Sequence, residues 1–95
     1  MMQNIEDYQF IQELKNLKFI EKIYLYGSRA KGNNSERSDI DLAISCPQAT
    51  DLEWLQVSEI IENADTLLKI DFLRLDEIRE TNKIKENILR EGIIL

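Results

Sequence analysis

The chain has 95 residues, with twelve Lys plus Arg, eighteen Asp plus Glu and no histidine, for a net charge of −6. That length predicts one small domain, 1–95, because cores are built in units of about 100–200 residues, and the acidic balance lacks the basic footprint of a general nucleic-acid binder, so no direct nucleic-acid binding is expected. The missing histidine removes imidazole triads, imidazole proton shuttles and imidazole zinc sites, which leaves carboxylates as the acid–base and metal-ligating groups.

Asn4 can cap a helix over 4–17, in which Ile5, Tyr8, Ile11 or Gln12, and Leu14 recur at three- to four-residue spacing. Ile20, Ile23, Tyr24, Leu25 and Tyr26 predict a buried strand over 20–26, stopped at Gly27. The stretch 28–38 is polar, Gly32, Asn33 and Asn34 mark a turn within it, and 28–31 suits the start of a short helix. From 39 to 45 acids alternate with apolar residues before the run turns wholly apolar, which predicts a second strand whose first half faces a polar site; Pro47 ends it. Thr50 and Glu53 form a T-x-x-E capping box for a helix reaching about Asn63. A 100° step puts Trp54, Val57, Ile60, Ile61 and Ala64 on its apolar arc, with Asp51, Glu59, Glu62 and Asp65 opposite and Leu55 among those acids. Residues 67–74 predict a third strand, Asp76 caps a last helix from Glu77 to about Arg90, Gly92 stops it, and 93–95 add a short edge strand.

This order predicts an α/β (α+β) fold with a small mixed sheet of three to four strands flanked by helices. The return from Gly27 to the second strand takes about a dozen residues, too few for a helical crossover, so the first strand pair should be antiparallel. Cys46 is the only cysteine, which excludes an internal disulfide, fits a reducing compartment and suggests core filler. The longest apolar run is four residues, 23–26, against about 20 for a membrane helix, and no signal region opens the chain. A soluble, cytoplasmic protein with no membrane partner is expected.

Asp39 and Asp41 lie two apart on a strand, so their side chains share a face and repel unless water screens them or a divalent cation binds between them. Alone, D-x-D reads first as a solvated strand start. Asp71 interrupts an otherwise apolar strand, where a carboxylate is disfavoured unless paired, metal-bound or edge-exposed. If the strand carrying it lies beside the one carrying Asp39 and Asp41, three hard oxygen donors converge in the manner of a Mg²⁺ site. Upstream, Gly27-Ser28 at a strand end lets backbone N–H groups and a hydroxyl approach a phosphate. Arg29, Lys31 and Arg37 against the single acid Glu36 make that loop locally positive. Neither G-x-G-x-x-G nor the Walker motif is present.

The run from Tyr26 to Ser45, YGSRAKGNNSERSDIDLAIS, with Gly27-Ser28, ten residues and then Asp39-x-Asp41, followed later by IDF around Asp71, resembles the signature of the nucleotidyltransferase (DNA polymerase beta-like) superfamily. It is most similar to the minimal nucleotidyltransferases (MNT proteins), which are about this long and are encoded in bacteria and archaea beside HEPN-domain partners. The resemblance implies that Gly27 and Ser28 grip the triphosphate of ATP, with Arg29 and Ser38 in the same nucleotide-binding loop. It further implies that Asp39, Asp41 and Asp71 are the catalytic and metal-holding carboxylates, that two Mg²⁺ ions are needed, and that Asp71 acts as third ligand and base. It implies an antitoxin that adenylylates a tyrosine of a HEPN ribonuclease toxin in a hetero-oligomer. Two other readings stay open: a non-catalytic module that neutralises its partner by masking it, through the acidic face around Leu55, and an aminoglycoside-type nucleotidyltransferase. The last class usually adds a substrate domain, for which 95 residues leave no room.

Overall fold

The computed structural model describes residues 4–95. Strands form at Lys22–Tyr26 (β1), Ile40–Ser45 (β2), Ile70–Arg74 (β3) and Ile93–Ile94 (β4). Helices form at Gln9–Lys15 (α1), Ser28–Lys31 (α2), Asp51–Glu62 (α3) and Lys83–Glu91 (α4). The four strands make one mixed sheet in the order β3-β2-β1-β4. β2 pairs antiparallel with β1, as the short return after Gly27 predicts, and parallel with β3, which the chain reaches through α3. β4 adds antiparallel to the other side of β1.

The central position of β2 accounts for its sequence. Leu42, Ala43 and Ile44 are completely buried because both faces of the strand are covered. Ile23, Leu25, Ile40, Leu42 and Ile44 pack with Phe10, Ile11 and Leu14 of α1 and Val57 and Ile61 of α3. On the opposite face Tyr24 and Ala43 pack with Leu75 and Ile88 of α4. Cys46 joins the first cluster, and burial pushes its thiol up, with the Arg74 guanidinium opposing the shift. It therefore behaves as a small apolar residue.

The predicted arc of α3 faces the core: Val57 and Ile61 are buried, and Trp54, Ile60 and Ala64 pack partly buried against them. Trp54 lies 5.8 Å from the Phe72 ring and 5.7 Å from the Arg74 guanidinium. The capping box also forms, with the Glu53 N–H donating to Thr50 Oγ1 at 3.2 Å and the Thr50 N–H donating to Glu53 Oε1 at 2.9 Å.

Four elements start two or more residues from the expected position. The helix expected over 4–17 is split into a 3-10 turn at Ile5–Asp7, capped by Asn4, and α1. The carboxylate of Asp65 accepts the Gln9 and Phe10 N–H groups at 2.9 and 3.0 Å, so α1 starts afresh after Tyr8. The last helix starts at Lys83 under an Asn82 cap, not at Glu77. Asp76 is occupied elsewhere, accepting the Cys46 N–H at 2.6 Å, and 75–77 form only a 3-10 turn. The first strand begins two residues later than expected, after a turn in which the Ile20 N–H donates to the Leu17 carbonyl, and the third three residues later, after a turn in which the Leu68 N–H donates to Thr66 Oγ1. Among the described residues no helix is long and apolar enough to cross a membrane.

Candidate active site

Strand register builds the site. The parallel pairing sets Asp41 opposite Asp71, and the antiparallel pairing sets Asp41 opposite Tyr26. Paired residues project to the same face of a sheet, so Tyr26, Asp41 and Asp71 form a row across three strands. Asp39 precedes β2 by one residue and is exposed, while Asp41 is half-buried. Burial raises the Asp41 carboxyl above the ordinary carboxylate range; the charges of Asp71 and Asp39 and a hydrogen bond with Asp71 push it the same way, and Lys69 pulls it back. Burial likewise raises the Tyr26 phenol, reinforced by Asp41 and Asp71. Lys69 Nζ lies 3.6 Å from Asp71 Oδ1, but the pair is open to water and too weak to cancel the local excess of negative charge.

Gly27 joins this row to the loop. Its φ of 73° and ψ of −151° are open to glycine and strained for other residues. A Cβ there would also collide with the Asp41 carboxylate, so the bare backbone at the start of α2 lies directly against that carboxylate. Ser28 follows as the first residue of α2, and Gly32, at a φ of 76°, ends the turn. Within the loop the Ser35 N–H donates to the Ser38 hydroxyl at 2.9 Å. Arg29 donates from Nη2 to the Ser38 carbonyl at 2.8 Å and from Nε to the Ser38 and Asp39 carbonyls, both at 3.2 Å. A cleft of about 180 Å³ opens beside Gly27, between Tyr26, Ala30 and Lys31 and the Ile84, Ile88 and Glu91 side of α4.

The structure thus brings Gly27, Asp41 and Asp71 together, with Asp39 and Ser28 next to them in the chain, and joins Arg29 to Ser38 in the loop that leads to Asp39. Among the described residues no three metal-ligating side chains close into a cage by themselves. The donor chemistry nonetheless suits a hard divalent cation: the Asp41 and Asp71 carboxylates adjoin across paired strands, and the charge of a third acid, Asp39, adds to the rise of the Asp41 carboxyl. Tyr26 was not singled out by sequence as a site residue. Its place next to Gly27 was visible, but its alignment with Asp41 follows only from the strand register.

The pattern of the polymerase beta nucleotidyltransferase family matches residues 8–95. The chain belongs to this family. That assignment agrees with the mixed sheet and its flanking helices. A crystal structure of a toxin-antitoxin with AMP-PNP has a similar fold, with a TM-score of 0.60 at 20% identity, covering 90% of this chain and 68% of that one. No curated protein is significantly similar to the chain in sequence.

Proposed function

We propose that this nucleotidyltransferase domain is an antitoxin that transfers AMP from ATP to a tyrosine of a cognate HEPN ribonuclease toxin in a Mg²⁺-dependent reaction, and so neutralises it. The observation that carries the reading is the bare backbone of Gly27 lying against Asp41, with Asp71 opposite in register. That juxtaposition brings a phosphate-accessible main chain and a carboxylate pair within one ligand's reach. The solved neighbour, a toxin-antitoxin with AMP-PNP, supports a protein partner and an adenine nucleotide.

In this reading Gly27 and Ser28 approach the triphosphate, and Arg29 and Ser38 belong to the loop that borders it. Asp39, Asp41 and Asp71 hold Mg²⁺, which when bound supplies the positive charge that transfer at a phosphate needs. Asp71 takes the proton of the incoming tyrosine hydroxyl as its oxygen bonds to the α-phosphorus, while the bond from that phosphorus to the bridging oxygen breaks and pyrophosphate leaves. The outward face of α3, with Asp51, Glu59 and Glu62 around the exposed Leu52 and Leu55, supplies an acidic docking surface for a basic ribonuclease.

Intact-mass spectrometry of the partner after incubation with ATP, Mg²⁺ and this chain tests the proposal. One or more added AMP units are expected with the wild type and none with Asp39→Asn or Asp41→Asn. No added mass with folded wild type would sink the enzymatic reading, and full modification by Asp41→Asn would sink the site assignment.

A further inference from the structure

We infer that Arg29 is a positioning residue that sets the Asp39-x-Asp41 segment against Gly27, and not a triphosphate contact; the role in transfer rests on the reading proposed above. The side chain reaches from α2 across the loop and donates to three main-chain carbonyls of its return: Nη2 to the Glu36 carbonyl at 3.4 Å, Nη2 and Nε to the Ser38 carbonyl at 2.8 and 3.2 Å, and Nε to the Asp39 carbonyl at 3.2 Å. The Asp39 carbonyl belongs to the peptide unit whose N–H, that of Ile40, donates to the Lys69 carbonyl at 2.9 Å. One peptide unit is therefore held from both sides, by α2 through Arg29 and by the strand leading to Asp71. Asp39 is attached directly to that unit, and Asp41 is the next residue on the same face.

Only a planar fork of several donors can serve these carbonyls together; an ammonium group presents one point of charge. A guanidinium with Nε and Nη2 both engaged by main-chain oxygens is also turned toward the loop by at least two of its three nitrogens. Arg29 thus acts on the carboxylates through the backbone. Misplacement of a reacting group by about 1 Å costs on the order of 100-fold in rate.

Two readouts on Arg29→Lys and Arg29→Ala test this. The first is kcat and KM for ATP in AMP transfer. Positioning predicts that Lys is no better than Ala, with kcat down by about 10- to 100-fold and KM for ATP within about twofold of wild type. A triphosphate contact predicts the reverse, a raised KM that Lys largely restores. The second is amide hydrogen exchange without ligands, where both variants should lose protection at Ser38 and Ile40 while Leu42 to Ile44 keep theirs. Unchanged exchange at Ile40 in a folded Arg29→Ala protein, or restoration of kcat by Lys, overturns the inference. Lost protection in a protein whose wild type transfers no AMP leaves the clamp standing and refutes the proposed reaction alone.

Discussion

Gly27 combines a positive φ with direct contact between its backbone and the Asp41 carboxylate. Gly27→Ala is therefore expected to cost about 1–3 kcal/mol of backbone strain and to push Asp41 out of line with Asp71, so that urea unfolding shows reduced stability and nucleotidyl transfer is lost together with it. At Asp41 the two properties should separate. Its carboxyl is raised by burial and by Asp71 and Asp39, and a carboxyl raised in the fold favours folding below its unfolded pKa and loses that contribution as pH rises through its folded pKa. Asp41→Asn removes the penalty, so in EDTA at pH 7 the variant should melt above the wild type, while transferring nothing. The advantage should shrink as the pH drops and wild-type Asp41 takes up its proton; a variant less stable at pH 7 contradicts this electrostatic account. At this scale the sequence was informative where a residue type was out of place, as with Asp71 in an apolar strand or three acids near Gly27-Ser28. It was silent on Tyr26 and on the partners of Arg29, because those depend on strand register and on where a long side chain ends.

Helices and strands were legible where local signals agreed. The α3 capping box and its apolar arc, the apolar run of β2 and the stop at Gly92 all follow from spacing. Both strand starts shifted because local turns precede them, and both helix starts shifted because a distant side chain took over a local role or was taken up elsewhere. Asp65, read from spacing as part of the acidic face of the 50–63 helix, caps α1 across more than fifty residues, and Asp76, read as a cap, holds the Cys46 N–H instead. The two N–H groups of Gln9 and Phe10 hold the Asp65 carboxyl below the ordinary carboxylate range. A carboxyl depressed in this way contributes stability above its unfolded pKa and loses it as pH falls through the depressed folded value. Asp65→Ala should thus cost about 1 kcal/mol at pH 7, as loss of a helix cap does, and the cost should disappear in acid. Chemical denaturation at pH 7 and below pH 3 measures both; an equal cost at the two pH values would assign the effect to packing instead.

For the molecule as a whole, the mixed sheet could be argued from one loop length, since 27–38 is too short to cross over. The order β3-β2-β1-β4 could not, because a short chain does not reveal which long-range strand pairs form. Yet that order makes the site: it is the parallel pairing of β2 with β3 that turns two separate acidic motifs into one carboxylate pair. The uneven charge of a chain with net −6 follows the same division, with the basic 27–37 loop beside the carboxylates and an acidic α3 on the outer face of the other helical layer. The central claim is that this arrangement carries the α-phosphoryl group of ATP to a protein hydroxyl. Its most direct test incubates the chain and its partner toxin with Mg²⁺ and ATP labelled either at the α- or at the γ-phosphate. Label from the α-position should appear on a partner tyrosine, label from the γ-position should leave as pyrophosphate, and Asp41→Asn should abolish the first. Incorporation from the γ-position, or none from the α-position by folded wild-type protein, would contradict the account.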